Sequence, residues 1–286
     1  GQADAVQEIP FFALEGLKKV PTVKLQQQPV YFWDYFVGFK VDKPVVSDPV
    51  IRKAINMAVD RGPIAKAVFF SAGEPATTLL NPKVQDFDAD AAKLQPKLDL
   101  DGARKLLDED GWKLASDGVR EKNGQRASFL LYGIQNGTNN SMMQAMQADL
   151  RRIGIEMKIQ LWDATVAWGK LATQEFDAFT MSYPYLSATD ALSLYFPSAN
   201  RPTPNRMNWV NEETDKNLLG ARTATDPATR ARMIGEVQEQ ITAANVWVPL
   251  VRQQLWLATS QRVDGARPHG VYGAALYKGL DIKLTR

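Results

Sequence analysis

Three stretches of the chain place aromatic rings beside charged or amide side chains, a combination that holds a polar solute without making or breaking a bond. Tyr183 and Tyr185 precede Asp190 by a few residues. Trp162 and Asp163 end one segment, and Trp168 follows within two helical turns. The run from Ser198 to Trp209 carries Asn200, Arg201, Asn205, Arg206, Asn208 and Trp209, whose arginines could clamp a carboxylate or phosphate. The ligand-contact set read from these stretches is Tyr183, Tyr185, Asp190, Trp162, Trp168, Arg206 and Trp209. Each stretch also has a structural reading: Asp190 and Asp163 suit helix starts, Trp168 suits a core, and the arginine loop suits solvent.

Other chemistry is narrowed by inventory. The 286 residues contain no cysteine, which removes thiolate metal sites, disulfides and cysteine nucleophiles. The single histidine, His269, sits in Arg-Pro-His-Gly and reads as an exposed turn residue. No His-Glu-x-x-His, Gly-x-Ser-x-Gly or P-loop pattern occurs. Neither a catalytic residue nor a cofactor nor a metal site is therefore expected. A carboxylate pair for glycoside hydrolysis remains compatible with the many acids. Thirty-four Lys and Arg against thirty-two Asp and Glu give a net charge of +2 with no basic run, so nucleic acid is not expected as a partner. No apolar run approaches the ~20 residues that span a bilayer.

The elements that must position these groups alternate strand and helix. Residues 22–28 and 31–41 read as strands, the second so rich in aromatics (Tyr31, Phe32, Trp33, Tyr35, Phe36, Phe39) that both faces must be buried. A helix over 48–60 follows, capped by Ser47 or Asp48 with Pro49 in its first turn. A second helix covers 63–70, and the proline-rich 73–82 reads as a connection without regular structure. A helix over 99–112 ends at Gly111, with a turn at Asp117-Gly118. Then come a strand at 127–133, a helix at 140–153, a strand at 156–162, a helix at 163–173 and a strand at 176–183, a pattern that calls for a parallel crossover. Helices over 189–195, 212–221 and 226–244 precede strands over 246–251 and 254–259. The class is α/β.

Six segments in this order resemble one family. They are Asp48-Pro-Val-Ile-Arg-Lys-Ala-Ile-Asn-Met-Ala-Val-Asp60, Ala103-Arg-Lys-Leu-Leu-Asp-Glu-Asp-Gly-Trp112, Met146-Gln-Ala-Asp-Leu-Arg-Arg-Ile-Gly-Ile155, Glu175-Phe-Asp-Ala-Phe179, Asp226-Pro-Ala-Thr-Arg230 and Val246-Trp-Val-Pro-Leu250. Together they resemble the bacterial extracellular solute-binding proteins of family 5, which serve ABC importers of peptides, opines, nickel chelates and sugars. The resemblance spans about residues 1–270 and fits the C-terminal portion of longer family members, so the chain is expected to be part of a longer protein.

That resemblance implies a periplasmic binding protein-like fold of type II, cluster C: a second lobe plus part of the first. Residues 1–45 and 251–286 would belong to the first lobe and 46–250 to the second, with hinge crossings at Phe39–Ser47 and Pro249–Gln254. It further implies a monomer that captures a small solute and presents it to ABC permease subunits, in the periplasm or lipid-anchored outside the cytoplasmic membrane. A sensor on the same fold is a second possibility, and a glycoside- or ester-processing enzyme a third. Peptide binders of the family carry Trp-x-x-Asp-Tyr after the strand ending at Phe179, and its acid pairs with a peptide ammonium. Here Met181 and Pro184 replace the Trp and Asp and Tyr185 is kept, so an ordinary peptide ligand is not expected.

Overall fold

The computed structural model describes residues 3–7, 9–28, 33–268 and 281–285. Tyr31, Phe32 and His269 lie outside them. Of four sheets among the described residues, two organise the chain. The smaller joins β1 (Ala5–Val6), β2 (Val23–Gln27) and β9 (Trp256–Ser260) in the order β1-β9-β2, antiparallel throughout. The larger has six strands: β3 (Trp33–Phe39), β4 (Gly73–Pro75), β5 (Ser128–Ile134), β6 (Glu156–Trp162), β7 (Ala178–Pro184) and β8 (Trp247–Gln253). Their order is β4-β8-β3-β7-β5-β6, with β5, β6 and β7 parallel and β3 running against both β7 and β8.

β3 is central because it can be buried on both sides. On one face Tyr35 meets Phe69 edge-on at 5.0 Å, and on the other Phe36 stacks on Trp247 at 4.0 Å. Because Trp33–Phe39 belongs to the large sheet, the chain changes sheet between Gln27 and Trp33, upstream of Phe39–Ser47, and returns between Gln253 and Trp256. The 73–82 segment also differs from its reading: Gly73–Pro75 pairs with β8, and its proline is tolerated because β4 is an edge strand.

The helices cover both faces of the large sheet. On one lie α1 (Pro49–Ala58), α2 (Arg61–Phe69), α3 (Leu100–Glu109) and α4 (Gly137–Arg151), packed with Val37, Phe39, Phe129 and Leu131. On the other lie α5 (Ala164–Thr173), α6 (Ala188–Tyr195), α7 (Glu212–Thr223) and α8 (Pro227–Ala244), packed with Phe36, Tyr132, Phe179 and Trp247. Asp48 caps α1 by accepting from Val50 N at 2.8 Å, and its other oxygen accepts from Trp112 Nε1 at 3.1 Å. Two of the six sequence segments are thereby tied together.

The polar residues of the first segment fasten core elements. Arg52 donates to the carbonyls of Val46, Ser47 and Ala244, and Asn56 Nδ2 to that of Trp247. Arg61 Nε donates to Pro249 O at 2.6 Å. Burial lowers the guanidinium pKa of both arginines to about 10, and carbonyl oxygens hold the charge in place of a carboxylate. No helix among the described residues is long and apolar enough to cross a membrane.

Candidate functional site

Where the two sheets meet, at the carboxyl end of β5, a cleft of ≈950 Å³ opens. Its size is that of small-molecule sites, and its position is the one where open α/β sheets bind ligands. Each wall follows from a local sequence feature. Period two along β3 sends Trp33 and Tyr35 to the cleft face and Asp34 and Phe36 to the other. The end of β8 brings Gln253, the return crossing brings Gln254 and Leu255, and β9 begins with Trp256. Asn136 caps α4 by accepting from Asn139 N at 2.7 Å, which sets Gly137, Thr138 and Ser141 on the cleft floor. Phe11 and Phe12 come from the N-terminal segment.

Phe70 completes the rim at 48% exposure, with a backbone φ of 52°. Such a φ is strained for an aromatic residue, and strain of this kind concentrates at ligand sites. Phe12 is 74% exposed on the same cleft. No Asp, Glu, Lys, Arg or His among the described residues lines the cleft.

A short relay orients its polar wall. Tyr35, hydrogen-bonded to Ser182, donates its hydroxyl to Gln253 Oε1 at 2.9 Å. Burial pushes the Tyr35 pKa up to about 12, so the phenol stays a donor. Gln253, its carbonyl engaged by Tyr35, lines the cleft. Trp256 lines the same wall, with its Nε1 sealed from solvent and without a hydrogen-bond partner among the described residues.

The seven residues singled out from sequence stand elsewhere, and none of them lines this cleft. Five gather at the same edge of the sheet but on its opposite face. Tyr183 meets Tyr195 edge-on at 5.2 Å, Arg206 lies over Trp168 at 5.7 Å, and Lys170 lies over Trp162 at 4.9 Å. Trp168 is 51% exposed. Trp209 packs against that face's core, and its backbone is clasped by Asn205, which donates to Trp209 O and accepts from Trp209 N.

The remaining two have structural partners. Tyr185 is buried, donates to Asp34 Oδ2 and accepts from Asn81 N at 2.7 Å. Asp190 is exposed in the first turn of α6 and accepts from Leu186 N at 3.2 Å, while Ser187 is the cap. The missed residues Trp33 and Tyr35 were visible as an aromatic strand read as core. Gln253, Gln254 and Asn136 carried no signal, because a lone amide gains its role from position.

Behind this edge Asp34 is buried between Tyr185 and Arg252, whose Nε stands 3.4 Å from Asp34 Oδ1. Arg252 also donates to Thr78 Oγ1 and to the carbonyls of Thr78 and Leu80, anchoring the segment after β4. Burial outweighs both partners and raises the Asp34 pKa to about 6. Among the described residues no three His, Cys, Asp or Glu converge on a point where a metal could sit.

Two sheets joined across an aromatic cleft define an α/β ligand-binding fold, with nothing in the described wall that activates a nucleophile. The chain belongs to a family of such proteins: residues 1–203 match the bacterial extracellular solute-binding proteins, family 5 Middle. It is similar to the glutathione-binding protein GsiB of Salmonella choleraesuis, at 29% identity over 277 residues that cover 93% of this chain and 51% of that protein. The chain spans about half the length of the curated relatives it matches.

Among solved structures it shares its fold with the oligopeptide-binding protein AppA of Bacillus subtilis in complex with a nonapeptide (TM-score 0.87, 21% identity, covering 100% of this chain and 57% of that one). NikZ of Campylobacter jejuni in complex with Ni(L-His) has the same fold (TM-score 0.82, 20% identity, covering 99% and 58%).

Proposed function

We propose that this chain forms part of the solute-binding component of an ABC-type importer, outside the cytoplasmic membrane, and that it captures a small solute in the cleft between its two sheets. The observation that carries the reading is the ≈950 Å³ cleft at the carboxyl end of β5, walled by Trp33, Tyr35, Gln253 and Trp256. In this reading residues 33–253 form one lobe, and the small sheet with its flanking segments belongs to the other. The crossing at Gln253–Trp256 then acts as a hinge, and ligand shifts the population toward the closed state. Permease subunits are the partners, the working form is a monomer, and no bond is made or broken.

Of the seven residues of the sequence reading, Tyr185 supports the site from behind through Asp34 in this account, and Tyr183 through β7. The solute-binding family and the binding proteins it resembles favour capture over the enzyme reading. Thermal denaturation with a library of peptides, opines, sugars and metal chelates tests the proposal. A binder present at a hundred times its Kd stabilises by about 2.7 kcal/mol. The absence of a shift with every member overturns it.

A further inference from the structure

Phe70 is held in a conformation that its own side chain does not explain. With φ 52° and ψ −124° its backbone lies where glycine is at home and an aromatic residue is strained. Val45 is the other large apolar residue with a positive φ among the described residues, but it is buried in the first core, where packing offsets the strain. The Phe70 ring stands exposed on the rim of the cleft and buries too little for that.

Its neighbours impose the conformation, as a strained residue requires. Phe69 is fully buried against the rings of Phe11 at 4.9 Å and Tyr35 at 5.0 Å. Ser71 donates its hydroxyl to Glu15 Oε1 at 2.5 Å, and Ala72 O accepts from Gln254 N at 2.7 Å. The chain is thus fixed on both sides of Phe70, and the second bond ties its turn to the return crossing. The turn Phe11–Ala13 packs against the turn Phe70–Ala72 and repeats the arrangement: Phe11 meets Phe69 inside, and Phe12 stands out on the same cleft.

We propose that Phe70 is a solute-contacting residue: with Phe12 it forms an aromatic rim against which the apolar part of a captured solute packs, and the backbone strain comes with presenting the ring there. This rests on the solute-capture reading above and names a contact within that cleft. A purely structural role and a contact role respond oppositely when the strain is relieved. Phe70→Gly removes the ring and lets the backbone adopt its φ freely. A ring kept for stability would leave the variant less stable, whereas a ring kept for contact leaves it more stable and weaker in binding.

Thermal scans of wild type, Phe70→Gly and Phe70→Tyr, alone and with each member of the peptide, opine, sugar and chelate library, followed by calorimetric titration of the compound that most stabilises wild type, test the proposal. Phe70→Gly alone is expected to melt about 2–4 °C above wild type. It should nonetheless bind that compound at least about tenfold more weakly. Phe70→Tyr, which keeps both ring and strain, should bind within about twofold of wild type. Affinity of Phe70→Gly within about twofold of wild type, a melting point no higher than wild type, or an equal loss of affinity in Phe70→Tyr overturns this inference and leaves solute capture standing. No stabilisation of wild type by any library member removes the capture reading and this inference with it.

Discussion

The Tyr35 hydroxyl donates to Gln253 Oε1 at 2.9 Å, joining the central strand β3 to the end of β8 at the wall of the cleft. Tyr35→Phe deletes that bond and frees the Gln253 amide to rotate. Binding of a cleft ligand is expected to weaken about tenfold, the usual worth of one orienting hydrogen bond at 1–1.5 kcal/mol. Calorimetric titration of the variant reads this, and unchanged affinity would show that the Gln253 orientation is irrelevant to binding.

Asp34 should make stability depend on pH in a definite sense. Its folded pKa of about 6 lies above the unfolded carboxylate value of about 3.9. Between those values the native protein holds a proton that the unfolded chain has released. The stabilisation is complete below pH 4 and is lost as pH rises through 6. Denaturant unfolding at pH 5 and pH 7.5 should show the wild type gaining about 1 kcal/mol at the lower pH relative to Asp34→Asn. Parallel pH dependence in the two proteins would refute the assignment.

Asp48 joins a helix cap to the indole of Trp112, so its removal should be felt twice. Asp48→Ala is expected to cost about 1–2 kcal/mol in unfolding free energy, at the upper end for a cap because Trp112 Nε1 also loses its acceptor. Asp48→Asn, which keeps a cap oxygen, should recover part of that loss. Equal losses in the two variants would mean that the carboxylate charge beside Lys122, 3.5 Å away, matters more than the cap.

Gly38 marks the tightest contact of the central strand. A Cβ there would stand 2.6 Å from Phe179 Cζ, on the sheet face that holds the second core. Gly38→Ala should destabilise by about 1–3 kcal/mol through overpacking. The thermal midpoint of the variant checks this, and a midpoint at or above wild type would show that the Phe179 ring can shift without cost.

Much of the architecture was legible because its signals are local. Asp48-Pro49 marked the start of α1, and the doubly apolar aromatic run that contains Trp33–Phe39 announced a central strand. Sheet membership was not legible. Whether β3 paired with β8 or with β2 depends on contacts more than two hundred residues apart, which no local pattern encodes.

The cleft was hidden for a related reason. The seven aromatic and charged residues attract the eye by type, yet alternation along β7 turns Tyr183 toward the second core while its neighbour Ser182 reaches Tyr35. Gln253 and Gln254 became interesting only when β8 carried them to the junction of the sheets.

Trp33 and Trp168 stand on opposite faces of the sheet edge, one walling the cleft and the other exposed beside Arg206. Calorimetric titration of a library hit into wild type, Trp33→Ala and Trp168→Ala therefore tests the location of the site most directly. Affinity should fall about a hundredfold with Trp33→Ala, the loss of one stacked aromatic at 2–3 kcal/mol, and stay within twofold of wild type with Trp168→Ala. The reverse pattern, with Trp168→Ala abolishing binding and Trp33→Ala leaving it intact, would contradict the account and move the site to the face that carries Tyr183, Arg206 and Trp162.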